Sequence, residues 1–152
     1  MNQDLREVEI LLVEDDPADA EMTLRALRRN NLANKVLWVK DGQEALDYIH
    51  GSGAYAGRDP ALPRLVMLDL KMPKVGGIEV LRALKAHEPT RSVPVVVMTS
   101  SSEEQDVVAS YQLGVNSYIV KPVQFETFLE TVAKIGLYWV LTNRLPNEGG
   151  RR

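Results

Sequence analysis

The sequence contains no cysteine, and this absence excludes disulfide bonds and thiolate metal sites. No apolar run reaches the roughly 18 residues that a membrane-spanning helix needs, and the polar segment 1–6 lacks the apolar core of a signal peptide. The net charge is −3, so a general attraction to nucleic acid or anionic lipid is not expected. These absences predict a cytoplasmic protein that binds neither membranes nor nucleic acid.

The length and composition predict a globular protein. The chain has 152 residues, of which 45% are hydrophobic and 26% are charged, enough to bury a core of ordinary size. We expect one domain over residues 8–143, an N-terminal tail over 1–7 and a C-terminal tail over 144–152, with no second domain.

Apolar runs alternate with amphipathic segments along the chain. Strands are predicted at 8–13, 36–39, 65–69, 93–99 and 117–120, and helices at about 17–30, 42–49, 77–87, 102–113 and 124–143. This alternation indicates an α/β fold in which helices cover both faces of a parallel sheet. Asp16 and Asp41 are predicted to cap the first two helices. Trp38 is expected in the core, and segment 51–64 is expected to be a loop.

Polar side chains follow four of the five predicted strands. They are Glu14 and Asp15 after the first strand, Asp69 and Thr99 at the ends of the third and fourth, and Lys121 after the fifth. Because the carboxyl ends of parallel strands meet at one edge of the sheet, we expect these side chains to converge on one crevice.

Carboxylates that lie close together repel one another, and a bound Mg²⁺ relieves this repulsion because it favours hard oxygen ligands. We predict a Mg²⁺ site in which Asp15, Asp69 and the backbone carbonyl of Lys71 are direct ligands. Glu14 is predicted to act through a water molecule.

The same crevice suits the transfer of a phosphoryl group. Aspartate forms acyl phosphates as a nucleophile, so Asp69 is predicted to attack the phosphoryl group. Lys121 would then pair with the phosphoryl oxygens, and Thr99 would donate a hydroxyl hydrogen bond to them. Acids at strand ends also serve as helix caps, as expected for Asp16, but their joint placement with a hydroxyl and a lysine favours chemistry.

At these residues the chain resembles the receiver domains of two-component response regulators, over residues 8 to about 139. Glu14 and Asp15 match the acidic pair of that family, Asp69 matches its phosphoacceptor, and Thr99 and Lys121 match its hydroxyl and lysine positions. The resemblance implies a flavodoxin-like (βα)5 sandwich with sheet order 2-1-3-4-5.

The resemblance also implies a function. A sensor histidine kinase would donate a phosphoryl group to Asp69, and the group would be lost slowly by hydrolysis. Tyr118 matches the switch aromatic of the family, so Thr99 and Tyr118 are expected to move on phosphorylation. The face formed by the predicted fourth helix, fifth strand and fifth helix would present the change to partners.

In two features that depart from the general family pattern, the chain resembles the small single-domain regulators of bacterial and cyanobacterial phytochromes. These features are the long loop 51–64 and the last predicted helix, which is apolar almost all round over 137–141. The kinase would then be a bacteriophytochrome. The apolar helix predicts a homodimer through the readout face and the C-terminal helix, although packing on its own domain also explains it.

Two other functions are compatible with parts of this pattern. A Mg²⁺-dependent aspartyl phosphatase needs a second acid two residues after its nucleophile, and Lys71 stands there. A scaffold that is never phosphorylated would not need the complete set of acids, hydroxyl and lysine. We therefore expect no enzyme beyond self-catalysed phosphorylation and slow dephosphorylation.

Overall fold

The computed structural model describes residues 9–28, 35–57, 62–72, 75–99 and 112–134. Within these ranges one sheet contains five strands, which are β1 (Ile10–Val13), β2 (Val36–Val39), β3 (Leu65–Asp69), β4 (Val95–Thr99) and β5 (Ser117–Val120). The strand order is β2-β1-β3-β4-β5 and every pair is parallel. The predicted α/β fold and its sheet order are therefore confirmed.

The described helices are α1 (Pro17–Arg28), α2 (Gly42–His50), α3 (Gly77–Ala86) and a C-terminal helix (Phe125–Lys134), with short 3-10 helices at Gly53–Tyr55 and Glu88–Thr90. The predicted helix over 102–113 lies almost wholly outside the described residues, as do 135–143 of the last predicted helix and both predicted tails. None of the described helices has the length and apolar character needed to cross a membrane.

The core consists of two apolar layers, one on each face of the sheet. Alternate residues of β1 point to opposite faces, so Ile10 and Leu12 pack with α1 and the C-terminal helix while Leu11 and Val13 pack with α2 and α3. Every residue of β1, β3 and β4 is buried. The two buried layers hold the central strands in place and fix the positions at which these strands end.

The edge strands are less buried than the centre. In β5 only Ile119 is buried, whereas Tyr118 and Val120 are 41% and 46% exposed. In β2, Trp38 is half-buried and packs against the margin of one apolar layer. The expectation of a core position for Trp38 was therefore wrong in part, because β2 is an edge strand and its side chains are covered less completely than those of the central strands.

The helix starts follow the predicted capping chemistry. The Asp16 Oδ1 accepts a hydrogen bond from the Ala18 N–H at 2.8 Å, and the Asp41 Oδ1 accepts one from the Glu44 N–H at 2.8 Å. The Glu44 carboxylate accepts in return from the Lys40 N–H at 3.0 Å, one residue earlier than the usual reciprocal bond. Both caps fix helices that begin beside the carboxyl edge of the sheet.

Gly77 sets the distance between α3 and the end of β3. A Cβ at this position would clash with the carbonyl oxygen of Asp69 and the Cα of Leu70, and the Gly77 N–H donates to the Leu70 carbonyl at 3.1 Å. The helix therefore begins directly against the backbone of Asp69. Only glycine permits this close approach.

Candidate functional site

The carboxyl ends of the strands surround an open crevice of about 320 Å³. Its lining contains the residues predicted to act at one site, together with several neighbours: Glu14, Asp15, Asp16, Asp19, Asp69, Leu70, Lys71, Met98, Thr99 and Lys121. The structure therefore brings together the side chains that the sequence placed after separate strands. Tyr118 is not part of this lining.

Three carboxylates meet in the crevice, and two of them are almost inaccessible to solvent. Glu14 and Asp15 follow β1 and Asp69 ends the neighbouring strand β3, so that one oxygen of each lies within 4.8 Å of the others. Glu14 is 0% exposed and Asp69 is 4% exposed. Burial and mutual repulsion both disfavour three negative charges at this distance.

Lys121 supplies the positive charge in this cluster. Its Nζ lies 3.0 Å from the Glu14 Oε1, 3.0 Å from the Asp19 Oδ2 and 3.4 Å from the Asp69 Oδ1. The contact with Asp19 was missed by the sequence analysis, although an acid in the first turn of α1 was a usable signal. One ammonium thus faces three carboxylates.

The pKa values reflect the burial of these groups and the shortage of positive charge around them. Burial, followed by repulsion from Asp69, raises the pKa of Glu14 from 4.5 to about 8. Burial, followed by the hydrogen bond and charge of Asp69, also raises the pKa of Asp15. Burial alone would lower the pKa of Lys121, but hydrogen bonds to Glu14 and Asp19 outweigh it and raise that pKa.

The carboxylate oxygens are only partly satisfied by hydrogen bonds. The Asp69 Oδ1 accepts from the Lys71 N–H at 3.2 Å, and the Glu14 Oε2 accepts from the Asp16 N–H at 3.2 Å and from the Lys121 Nζ at 3.3 Å. Among the described residues, no hydrogen bond of good geometry reaches the buried Glu14 Oε1. A buried oxygen of this kind beside two further carboxylates fits a hard divalent cation.

The family assignment follows from a comparison of the whole sequence with known proteins. Residues 10–133 match the family described as response regulator receiver domain. The chain belongs to this family. Its matched region contains the crevice and all five strands.

Two curated relatives of this receiver domain are similar over most of their length. The probable methanogenesis regulatory protein FilR2 of Methanothrix harundinacea is 44% identical over 137 residues, which cover 90% of this chain and 86% of the relative. The response regulator Rcp1 of Synechocystis sp. is 36% identical over 137 residues, which cover 90% of this chain and 92% of Rcp1.

Solved structures of phytochrome response regulators have the same fold. The bacteriophytochrome response regulator RtBRR is 50% identical with a TM-score of 0.81, over 91% of this chain and 83% of that one. The Mn²⁺-bound form of Rcp1 is 36% identical with a TM-score of 0.71, over 90% and 97%. The phosphorylated cyanobacterial phytochrome response regulator RcpA is 38% identical with a TM-score of 0.72, over 91% and 97%.

The two predicted switch residues of the receiver occupy different environments. Thr99 ends β4, lines the crevice and is 3% exposed, whereas Tyr118 lies in the edge strand β5 and is 41% exposed. The register pairs Tyr118 with Val97, two residues before Thr99. The switch role of Thr99 and Tyr118 stays a prediction.

Lys71 also lines the crevice of the receiver, but its side chain is exposed. Its backbone N–H bonds the Asp69 carboxylate, while the use of its carbonyl as a metal ligand stays a prediction. No carboxyl group is therefore available at position 71, where an aspartyl phosphatase needs its general acid.

Proposed function

We propose that this receiver domain accepts a phosphoryl group on Asp69 in a Mg²⁺-dependent reaction. The observation that carries the proposal is the position of the Asp69 carboxylate, which is almost buried, shares the crevice with two other carboxylates and lies 3.4 Å from the Lys121 ammonium. Positioning and charge neutralisation are most of what phosphoryl transfer requires of a protein. The similarity to phosphorylated RcpA supports the proposal.

The metal would be held by the acids of the crevice. We propose Asp15, Asp69 and the carbonyl of Lys71 as direct ligands and Glu14 as a ligand through water. The buried Glu14 Oε1, which forms an ion pair with Lys121 at 3.0 Å but has no hydrogen-bond partner among the described residues, and the raised pKa values of Glu14 and Asp15 support a cation at this place. When bound, Mg²⁺ would neutralise the acids and the incoming phosphoryl group.

The residues of the chain would perform the remaining tasks. An oxygen of Asp69 attacks the phosphorus of a phosphohistidine, the new O–P bond forms and the P–N bond to the imidazole breaks. Lys121 exchanges its contact with Asp69 for contacts with the phosphoryl oxygens, and Thr99 donates its hydroxyl to the same group. The Lys71 N–H orients the Asp69 carboxylate through its 3.2 Å hydrogen bond.

The test is incubation with a small phosphodonor and Mg²⁺, followed by measurement of the intact mass. The native chain is expected to gain one phosphoryl group, and the gain is expected to be lost in Asp69→Asn and on removal of Mg²⁺. A folded, Mg²⁺-bound native chain that gains no mass would contradict the proposal. Loss of the adduct should be slow, because position 71 offers no general acid.

The phosphoryl donor would be a sensor histidine kinase, and similarity to RtBRR and RcpA favours a bacteriophytochrome. Signalling would proceed by phosphorylation-dependent protein binding and would involve no nucleic acid or membrane. Transfer rates from a purified bacteriophytochrome kinase and from an unrelated histidine kinase decide the point. Equal rates from both kinases would remove the support for a phytochrome partner.

Phosphorylation is proposed to switch the position of two residues. Thr99 would move toward the phosphoryl group, and Tyr118 would turn inward from its exposed position. A Thr99→Ala variant should still accept phosphate but lose the conformational response, measured as amide shift changes in β5. A full response without the hydroxyl would refute the role of Thr99.

A homodimer is proposed through β5, the C-terminal helix and the predicted helix over 102–113. The exposed side chains of Tyr118 and Val120 on an edge strand support it, because edge strands with apolar side chains invite pairing. Such an interface would be isologous. Sedimentation that shows only monomers at tens of micromolar, about the range in which a weak dimer is populated, would contradict it.

A further inference from the structure

Strand β2 holds the backbone of Glu14 by both of its polar groups. The Glu14 N–H donates to the Val39 carbonyl at 3.1 Å, which extends the parallel ladder by one bond. The Glu14 carbonyl accepts from the indole Nε1–H of Trp38 at 2.7 Å. The second bond is of a different kind, because a side chain supplies the donor at a point where the strand has ended.

The position of this bond gives it a specific consequence. The Glu14 carbonyl belongs to the peptide that joins Glu14 to Asp15, so its orientation determines the direction in which Asp15 leaves the strand. The chain turns sharply here, since the Asp16 N–H returns to the Glu14 carboxylate at 3.2 Å and α1 begins at Pro17. The Trp38 indole is therefore hydrogen-bonded to the peptide group that joins Glu14 to Asp15.

Trp38 is itself held in place. It is half-buried against one apolar layer of the core, and the Lys40 Nζ lies 5.5 Å from the centroid of its ring. A side chain fixed by packing can hold a peptide more firmly than water would. A half-buried indole N–H usually has a hydrogen-bond acceptor whether or not it positions anything. A test must therefore distinguish a bond that only satisfies the indole from one that orients the Glu14–Asp15 peptide.

We propose that Trp38 is a positioning residue of the metal site, which holds the Glu14–Asp15 peptide in the orientation that Mg²⁺ binding requires. The inference rests on the proposed function, since it deepens the account of the same site. Loss of a group that orients metal ligands without touching the metal typically lowers metal affinity or activity about 10- to 100-fold.

The test compares Mg²⁺ affinity in the native chain and in Trp38→Phe, measured by NMR titration of backbone amides. Phenylalanine keeps an aromatic ring and removes the donor, and the Kd for Mg²⁺ is expected to rise about 10-fold. Tyr55→Phe is the matched control, because it removes an aromatic hydroxyl that bonds Glu44 at 3.0 Å outside the crevice. Its Kd should stay within about two-fold of the native value.

A second measurement separates positioning from general damage. At saturating Mg²⁺ the phosphorylation rate of Trp38→Phe should return to within about two-fold of the native rate, since only the metal affinity is impaired. A folded Trp38→Phe protein with native Mg²⁺ affinity would overturn the inference. So would a phosphorylation rate that stays low at saturating Mg²⁺, because the defect would then not be confined to metal affinity.

An isosteric replacement keeps the test decisive if Trp38→Phe does not fold. The chain has two tryptophans, so a Trp139→Phe background permits uniform replacement of the remaining one by benzothienylalanine, which has sulfur in place of the N–H. In this background, the protein with benzothienylalanine at position 38 is expected to have a Kd for Mg²⁺ about 10-fold higher than the protein with tryptophan there. A native chain that binds no Mg²⁺ would overturn the proposed metal site, whereas a native chain that binds and an unaffected analogue would overturn only the inference about Trp38.

Discussion

Two groups of three carboxylates in this protein have opposite surroundings. The first group belongs to α2 and consists of Asp41, Glu44 and Asp47. Asp41 accepts a backbone N–H at the helix start, Glu44 accepts from the Lys40 N–H and the Tyr55 hydroxyl at 3.0 Å each, and Asp47 accepts from two polar side chains. Each acid of this group has donors close to it in the sequence.

The second group lies in the crevice and consists of Glu14, Asp15 and Asp69. Two of its members, Glu14 and Asp69, share the ammonium of Lys121 with a further acid, Asp19, and burial raises the pKa of Glu14 to about 8. The comparison shows that carboxylates have different roles in the two groups. The acids of α2 stabilise the fold, whereas those of the crevice are crowded at a cost in stability that a cation would remove.

The largest effect is expected from removal of the Lys121 ammonium, which lies within 3.4 Å of carboxylate oxygens of Glu14, Asp19 and Asp69. Lys121→Ala should lower the phosphorylation rate about 100-fold, as for other lost electrostatic stabilisers. It should also cost about 3 kcal/mol of stability at pH 9, because buried acids lose their partner. At pH 6 the loss should be smaller, because Glu14 then carries a proton. Urea denaturation at both pH values checks this, and an equal loss would contradict the crowding of charge.

The pH dependence of the metal-free protein gives the next effect. The folded pKa of Glu14, about 8, lies above its ordinary value of 4.5, so the folded protein binds the proton more tightly than the unfolded chain does. The stability that results is present below about pH 4.5 and is lost as the pH rises toward 8. The melting temperature should fall over this range, and less steeply in Glu14→Gln. Parallel curves for the two proteins would show that Glu14 is not the group responsible.

A smaller effect is expected in the satisfied group. Asp41→Ala removes the cap of α2 and should lower stability by about 1 kcal/mol, because the Glu44 N–H loses its acceptor. The Kd for Mg²⁺ should remain within about two-fold of the native value, since this acid has no role in the crevice. Denaturation and a Mg²⁺ titration of the same sample provide the measurement. A large loss of Mg²⁺ affinity would break the division between the two groups.

The smallest effect is expected at an exposed pair. Arg25 and Glu21 form a salt bridge of 3.2 Å on α1, with side chains 72% and 64% exposed. Arg25→Ala should change stability by less than about 0.5 kcal/mol, because water screens both charges. A loss of stability as large as that of Asp41→Ala, measured by the same denaturation, would show that solvent exposure does not weaken the Arg25–Glu21 salt bridge.

The sequence predicted much of this arrangement. β2, β3 and β5 have the predicted bounds, and the acids, the hydroxyl and the lysine meet at one edge because the hydrophobic pattern determines where each strand ends. The contact of Lys121 with Asp19 and the bond from Trp38 to Glu14 were not predicted. They join residues 102 and 24 positions apart, and they depend on the directions of side chains, which periodicity does not specify.

The most direct test of the account is urea denaturation of the native chain and of Asp69→Asn, each with and without Mg²⁺. Without Mg²⁺ the variant should be more stable than the native chain, because one of the crowded acids has become neutral. At 100 times the Kd, Mg²⁺ should stabilise the native chain by about 2.7 kcal/mol and the variant by much less. A native chain that is more stable than the variant without Mg²⁺, and that gains nothing from the metal, would contradict the account.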